Sequence, residues 1–433
     1  MAANLVIRNV TVIDGTGGAP ACGVDVVVRD GVFAAIGRGA GARADLAGAE
    51  TVAGEGRFLI PGLWESHTHL RSSLRGGDEA ERQAAIDALL RAYLGRGITT
   101  VVDLGGPVEV YRQARERQQR SGAGDGARLL FAGPNFTGIN GWPFVLHHDP
   151  TCTHQAGDVP TALAALRALL DRAPDVVKIM YDGEPGRDKL PREALVALIA
   201  EAHAHGLRAL VHVHSAEDTL HALEAGADGV EHSFLPTPGH EAAEAERVTA
   251  ALAESGAYLT PTLAIWEQLG RAGDGSYLDE LGAAGLLSRE EIARLTAPEA
   301  RWGQDEFPHH PKAECRARLA AALRFLPAMH AAGVKLAVGS DLAIALSRPA
   351  ATLREMALLA RAGVPAGDVL VAATRHAAEK VGRGASVGTL APGQIADAVL
   401  LDANPLDDLD YLLRPGHLVA TIKDGHLHPA AAR

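Results

Sequence analysis

A chain of 433 residues has room for one large domain and a smaller one, far above the size at which a hydrophobic core becomes limiting. With 47% apolar and 22% charged residues it reads as an ordinary globular protein, and a net charge of −12 with no run of Lys and Arg argues against a nucleic-acid or anionic-membrane surface. Three scattered cysteines (Cys22, Cys152, Cys315) exclude a disulfide framework and a Cys-x-x-Cys metal site. The N-terminus lacks a basic segment followed by a long apolar core, and no apolar run approaches a membrane span, so a reducing cytoplasm is the expected compartment.

Residues 4–60 alternate short β-rich runs with glycine turns: Leu5–Ile7, Val10–Ile13, Val24–Val28 and Val32–Ile36, separated by Asp14-Gly15, Gly17-Gly18 and Asp30-Gly31. The far end repeats the texture, with Val387–Leu390, Ala398–Asp402 and Leu418–Ile422 set between Pro392-Gly393 and Asp424-Gly425. Two all-β pieces around a different middle predict one small β-sandwich assembled from residues 1–60 and 385–433.

Between them, residues 61–384 alternate apolar strand-length runs with helical stretches of Ala, Leu, Glu and Arg, the rhythm of repeated βα units on a parallel sheet. Strands are predicted at Leu63–His69, Ile98–Asp103, Arg128–Ala132, Asp175–Met180, Arg208–His212, Gly229–His232, Tyr258–Thr262 and Lys335–Gly339. Eight such strands over about 280 residues fit a TIM (β/α)8 barrel, whose functional groups sit at the C-terminal strand ends. The stretch from 263 to 333 is too long for an ordinary βα connection and is expected to hold a helical insertion near the mouth. The Gly- and Pro-containing connection from Pro134 to Val159 is a second candidate for a substrate-facing loop.

Chemistry-bearing residues gather at those strand ends. In Trp64-Glu65-Ser66-His67-Thr68-His69, an extended backbone turns both imidazoles to one side, where they can hold a divalent cation. Strand four reads Val176-Val177-Lys178-Ile179-Met180. A lysine among apolar neighbours is either ion-paired or a neutral amine that CO₂ converts to a carbamate, an anionic ligand. Strand five ends His212-Val213-His214, strand six Glu231-His232-Ser233, and strand eight Gly339-Ser340-Asp341.

The order His-x-His, Lys, His, His, Asp after successive strands resembles the amidohydrolase superfamily of metal-dependent hydrolases, above all its imidazolonepropionase-like and prolidase-like (Xaa-Pro dipeptidase-like) members. The likeness covers nearly the whole chain, including Pro61–His69, His212–Glu217, Ala225–His232 and the closing Gly388–Val399. It implies two divalent ions, most readily Zn²⁺. His67, His69 and Asp341 would hold the more buried ion and His212 and His232 the more exposed one, with N6-carboxylated Lys178 as the bridge. In similar sequences the strand-five ligand precedes the Glu-His histidine by 20 positions, and 232 − 212 = 20 selects His212 over His214.

What the resemblance implies about activity is hydrolysis of an amide-type C–N bond by a metal-activated hydroxide, with Asp341 moving the proton and His214 aiding the developing oxyanion. Substrates would be N-acyl amino acids, dipeptides or related small amides. Their free carboxylate would find His214, Tyr181, His147 and His148 as candidate partners, although the loop carrying the last two could equally be a packed lid. The Ile179–Glu184 segment departs from the small, Gly-rich stretch of dipeptidases. A cyclic amide, lactam or lactone hydrolase and a deaminase are the alternatives on the same scaffold, and a non-catalytic binding protein is a more distant one. Family members are homo-oligomers of varied size, and a homo-oligomer acting on a small molecule is expected here.

Overall fold

The computed structural model describes residues 4–43, 48–74, 78–121, 125–183, 188–297, 311–341 and 345–430. Its first five strands, β1 (Leu5–Val12), β2 (Ala21–Arg29), β3 (Val32–Gly37), β4 (Glu50–Ala53) and β5 (Phe58–Pro61), form the N-terminal part of an eight-stranded sheet. The β2–β3 connection is a two-residue turn with Asp30 and Gly31 both at positive φ (52° and 78°), the conformation for which the Asp-Gly pair is suited.

The central segment is parallel throughout. One sheet joins β6 (Leu63–Thr68), β7 (Ile98–Asp103) and β8 (Arg128–Phe131). A second runs through β9 (Asn135–Thr137), β10 (Thr153–Gln155), β11 (Val176–Met180), β12 (Arg208–His212), β13 (Gly229–Glu231), β14 (Tyr258–Thr260) and β15 (Lys335–Leu336), in the order β10-β9-β11-β12-β13-β14-β15. Backbone hydrogen bonds from Ser66 N to Val338 O (3.1 Å) and from Asp341 N to His67 O (2.7 Å) tie the end of one sheet to the start of the other. On the far side, Asp175 N donates to Phe131 O at 2.9 Å. Helices cover the strands, and their apolar faces share one continuous buried core with Val177, Ile179, Val211, Val230 and Leu259.

Strands β16 (Ala398–Leu401), β17 (Leu418–Lys423) and β18 (His426–Pro429) complete the first sheet. Strand β16 runs antiparallel to β5, pairing Val399 with Ile60, so both chain ends meet one residue before the His-x-His strand begins. Leu5, Ile7, Val10, Leu59, Ala398, Leu400 and Ile422 make a separate apolar core there. Gly62 marks the crossing between the two segments. A Cβ on it would lie 2.2 Å from Thr99 Oγ1, so only glycine lets the backbone pass.

The 263–333 stretch carries the helices Leu263–Gly270, Gly275–Ala283, Arg289–Thr296 and Lys312–Ala331. A fully buried arginine, Arg354, ties two of them to the helix Arg348–Arg361. It donates to Glu267 at 2.7 and 2.8 Å and to Glu280 at 2.8 Å. No helix among the described residues is long and apolar enough to cross a membrane.

Candidate metal centre

Period-two alternation in β6 sets Glu65 and His67 on one face of the strand, with His69 following just beyond its end. His67 Nε2 lies 3.7 Å and His69 Nε2 3.2 Å from Asp341 Oδ1, and His232 Nδ1 is 4.0 Å from Asp341 Oδ2. The rings of His67 and His232 are 5.1 Å apart, and those of His232 and His212 4.5 Å. His67, His232 and Asp341 each offer a ligand atom within 4.8 Å of the others, close enough to share one cation. His232 (φ 77°), Thr262 (φ 51°) and Asp341 (φ 64°) all adopt the left-handed backbone region just past their strands. Each costs about 1–3 kcal/mol, a strain concentrated where side chains must be turned inward.

A buried shell orients these groups. Glu231 Oε2 accepts a hydrogen bond from His67 Nδ1 at 2.6 Å, which leaves Nε2 free to face Asp341. Its other oxygen accepts from Lys380 Nζ at 3.0 Å, and that ammonium also donates to Thr260 Oγ1 at 2.7 Å and Ser66 O at 3.2 Å. His232 Nδ1 is 2.7 Å from Thr262 Oγ1. Glu65 accepts from His67 N (3.0 Å), Ser340 N (3.0 Å), Ser340 Oγ (2.6 Å) and Thr352 Oγ1 (2.7 Å), so one carboxylate fixes the first and last strand ends together. At Gly339 the backbones touch so closely that a Cβ would sit 2.6 Å from that of His67.

Burial sets the charge states. It lowers His67 to about 4, with Lys178 adding to the effect against the pull of Glu231, and it holds His232 well below the usual imidazole range, so both rings are neutral at pH 7. Burial alone would raise Asp341, but the neighbouring His69, His67 and Lys178 outweigh it and keep the carboxyl ionised, at about 2. Burial lowers Lys178 to about 8, and among the described residues its Nζ has no hydrogen-bond partner. Its neutral fraction near pH 7 to 8 therefore exceeds that of an ordinary lysine.

Of the sequence-predicted residues, His67, His69, His212, His214, His232 and Asp341 come together, and Lys178 lies buried in the neighbouring strand β11, paired with Leu210. Tyr181 is not brought into that group; it packs beneath Lys189 Nζ (4.0 Å from the ring centroid) and beside His221. His148 is exposed, edge-on to Phe144. His147 ends the short helix Phe144–His147, and its side chain lies outside the described residues. Sequence reasoning missed Glu65, Asp182, Trp266 and Lys380. Asp182 Oδ2 is 3.4 Å from His212 Nε2 and 3.5 Å from His214 Nδ1. Trp266 stands edge-on to His214 and His232, with the Arg318 guanidinium 5.0 Å over its ring. Glu65 and Asp182 lie beside recognised positions in the sequence, whereas Trp266 and Lys380 come from distant helices.

Imidazoles and carboxylates converging at the C-terminal ends of parallel strands define a hydrolase scaffold with a candidate metal centre. The chain belongs to the amidohydrolase family, whose model matches residues 58–427, and it is a hydrolase. It is similar to the ochratoxinase of Aspergillus niger, 26% identical over 413 residues that cover 85% of this chain and 75% of that one. It is also similar to the imidazolonepropionase of Anaeromyxobacter dehalogenans, 28% identical with 99% and 98% covered. Among solved structures, a Xaa-Pro dipeptidase with bound methionine in the active site shares the fold, with a TM-score of 0.75, 19% identity and coverage of 99% and 100%.

Proposed function

We propose that this chain is a metal-dependent hydrolase of an amide-type C–N bond in an N-acyl amino acid, dipeptide or related small amide, working from the mouth of a closed (β/α)8 barrel. The observation that carries the reading is the convergence of neutral His67 and His232 with ionised Asp341, each held in its ligating form by a buried partner or neighbouring charge. His67, His69 and Asp341 would hold one ion. His212 and His232 would serve a second, with Lys178 as a carbamate between them. Nitrogen and oxygen donors of this kind suit zinc, which when bound acidifies water and polarises a carbonyl.

The protein's own part is orientation and proton handling. Glu231 fixes the His67 tautomer, and Glu65 locks the strand ends so that Asp341 stays against His69. Asp341, ionised at neutral pH, takes a proton at a carboxylate oxygen from the attacking water and returns it to the departing nitrogen. His214 and Trp266 bound the side on which the acyl group would sit. The full-length likeness to an imidazolonepropionase favours, as the second reading, a cyclic amide opened by the same groups.

The test is a screen of protein reconstituted with Zn²⁺, Mn²⁺ or Co²⁺ against N-acyl amino acids, dipeptides, lactams and lactones, with Asp341→Asn in parallel. Acyclic amides are expected to turn over, and the variant to keep most of its metal while losing at least about 100-fold in kcat. Full activity in Asp341→Asn, or turnover of no amide class, would refute the proposal.

A further inference from the structure

Two buried side chains on β9 and β10, outside the metal centre, lack the partners that burial demands. Asn135 is 2% and Thr153 3% exposed, and among the described residues neither Asn135 Oδ1 nor Thr153 Oγ1 has a hydrogen-bond partner. Leaving a buried amide oxygen or hydroxyl unpaired is costly, so two of them on one wall call for a group that completes both.

Strand register shows where the pair faces. In the parallel order β10-β9-β11, Phe136 is paired with Ile179, and both belong to the core beneath the helices. Alternation then turns Asn135 to the opposite face, the one to which Lys178 and Met180 point. Thr153 is the register partner of Asn135 and shares that face, while on the other side His154 packs against Phe136 with ring centroids 5.3 Å apart. Asn135 N donates to Cys152 O at 3.0 Å, which ties the two strands together at this pair. Gly105, just past the end of β7, opens the space for the amide: a Cβ there would lie 2.5 Å from Asn135 Nδ2 and 2.8 Å from Oδ1. Two residues earlier, Asp103 accepts from Leu70 N at 2.6 Å, so one short segment adjoins both the amide and the residue that follows His69.

From this arrangement we infer that Asn135 and Thr153 form a substrate subsite for an uncharged side-chain group that both donates and accepts, the carboxamide of asparagine or glutamine or the hydroxyl of serine. Neighbouring strands lie about 4.8 Å apart, a span that two hydrogen bonds of about 2.9 Å bridge through one small polar group. Such a group donates to Asn135 Oδ1 and accepts from the Thr153 hydroxyl. A carboxylate would bring charge and no proton for Oδ1, an ammonium charge with no counter-ion at either group, and an apolar chain would leave both unpaired. The subsite rests on the hydrolase reading above and adds the class of substrate side chain to it.

The test is isothermal titration calorimetry of Zn²⁺-reconstituted Asp341→Asn, chosen to bind without turnover, with the N-acetyl derivatives of L-glutamine, L-asparagine, L-serine, L-methionine, L-leucine and L-glutamate. At least one of the first three is expected to bind at least about 10-fold more tightly than each of the last three. Adding Thr153→Val or Asn135→Leu, each close in size and lacking the hydrogen-bonding atoms, should cut that preference below about 3-fold, with circular dichroism reporting folding. If these variants do not fold, the ranking in Asp341→Asn alone decides. Equal binding of all six compounds, which a resident water completing both groups would produce, overturns the inference. So does binding of none, or a preference that survives both substitutions. Turnover by wild type is a separate readout: hydrolysis of the leucine compound without any binding preference keeps the hydrolase reading and removes the subsite, whereas a preference in a chain that hydrolyses no amide does the reverse.

Discussion

Replacing Glu231 by Gln tests the buried shell most directly. The carboxylate is fully buried, and Lys380 and His67 outweigh its burial to keep it ionised, well below the usual carboxylate range. With the negative charge removed, Lys380 faces only the neutral acceptors Ser66 O, Thr260 Oγ1 and the new amide. It must either stay charged with only the Glu65 carboxylate left to oppose its charge or give up its proton. Giving up the proton at pH 7 costs a lysine of ordinary pKa near 10.4 about 3.4 × 1.36, or roughly 5 kcal/mol. That sum caps the loss and agrees with the roughly 3–5 kcal/mol typical of breaking a buried pair. The unfolded chain then binds one proton more than the folded one, so the variant's stability rises by about 1.4 kcal/mol per pH unit towards pH 10 and its deficit shrinks with alkali. Urea denaturation of metal-free protein between pH 7 and 9.5 measures this. Adding Lys380→Met should restore most of the stability. In the single variant metal affinity should be about 10–100-fold weaker, because the glutamine turns its oxygen to Lys380 and its N–H₂ to His67 Nδ1, which favours the tautomer with its proton on Nε2. A deficit that is independent of pH, or a double variant no more stable than the single one, refutes the reasoning.

Other expectations follow from the same region. Burial raises Glu355 to about 8, with Glu65 and Glu267 adding to it, although it accepts from Leu263 N and Ala264 N. Its contribution to stability is therefore complete below about pH 4.5 and lost as the pH rises through 8, so Glu355→Gln should flatten the fall in stability between pH 5 and 8.5. Parallel wild-type and variant curves in urea would contradict that sign. Gly339→Ala drives a methyl into the His67 Cβ and Thr260 Cγ2, 2.6 and 2.7 Å away. It should cost about 1–3 kcal/mol by overpacking and weaken metal binding as well, and a thermal midpoint equal to wild type would show that β6 and the Gly339 segment can part without penalty.

Much of this organisation was legible in the chain because local pattern and chemistry coincide at strand ends. The strands carrying His67, Lys178, His212 and His232 were expected within a residue or two of where they lie, since a buried parallel strand is a short apolar run and its polar terminus stands out. Strands β9 and β10 went unrecognised: at three residues each, inside a Gly- and Pro-rich connection, they carry no periodicity to read. Lys380 was invisible for a different reason. Its sequence neighbours, Ala377 to Val381, describe an ordinary helix end, and only folding brings its ammonium to Glu231, 149 positions earlier. Trp266 and Arg318 likewise reach the site from the 263–333 insertion, whose helical character was expected but whose inward-facing side chains no spacing could select.

The two His-x-His pairs differ in what surrounds them and in ring arrangement, with centroids 5.4 Å apart for His67 and His69 and 4.5 Å for His212 and His214. His67 has Glu231 and Lys380 at its back, so its tautomer is fixed and its free nitrogen faces Asp341. His212 and His214 have the carboxylate of Asp182 before both rings, 3.4 Å from His212 Nε2 and 3.5 Å from His214 Nδ1. A carboxylate on the Nδ1 side of a histidine that ligates through Nε2 fixes its tautomer and orients that ligand, which is the part Glu231 plays for His67.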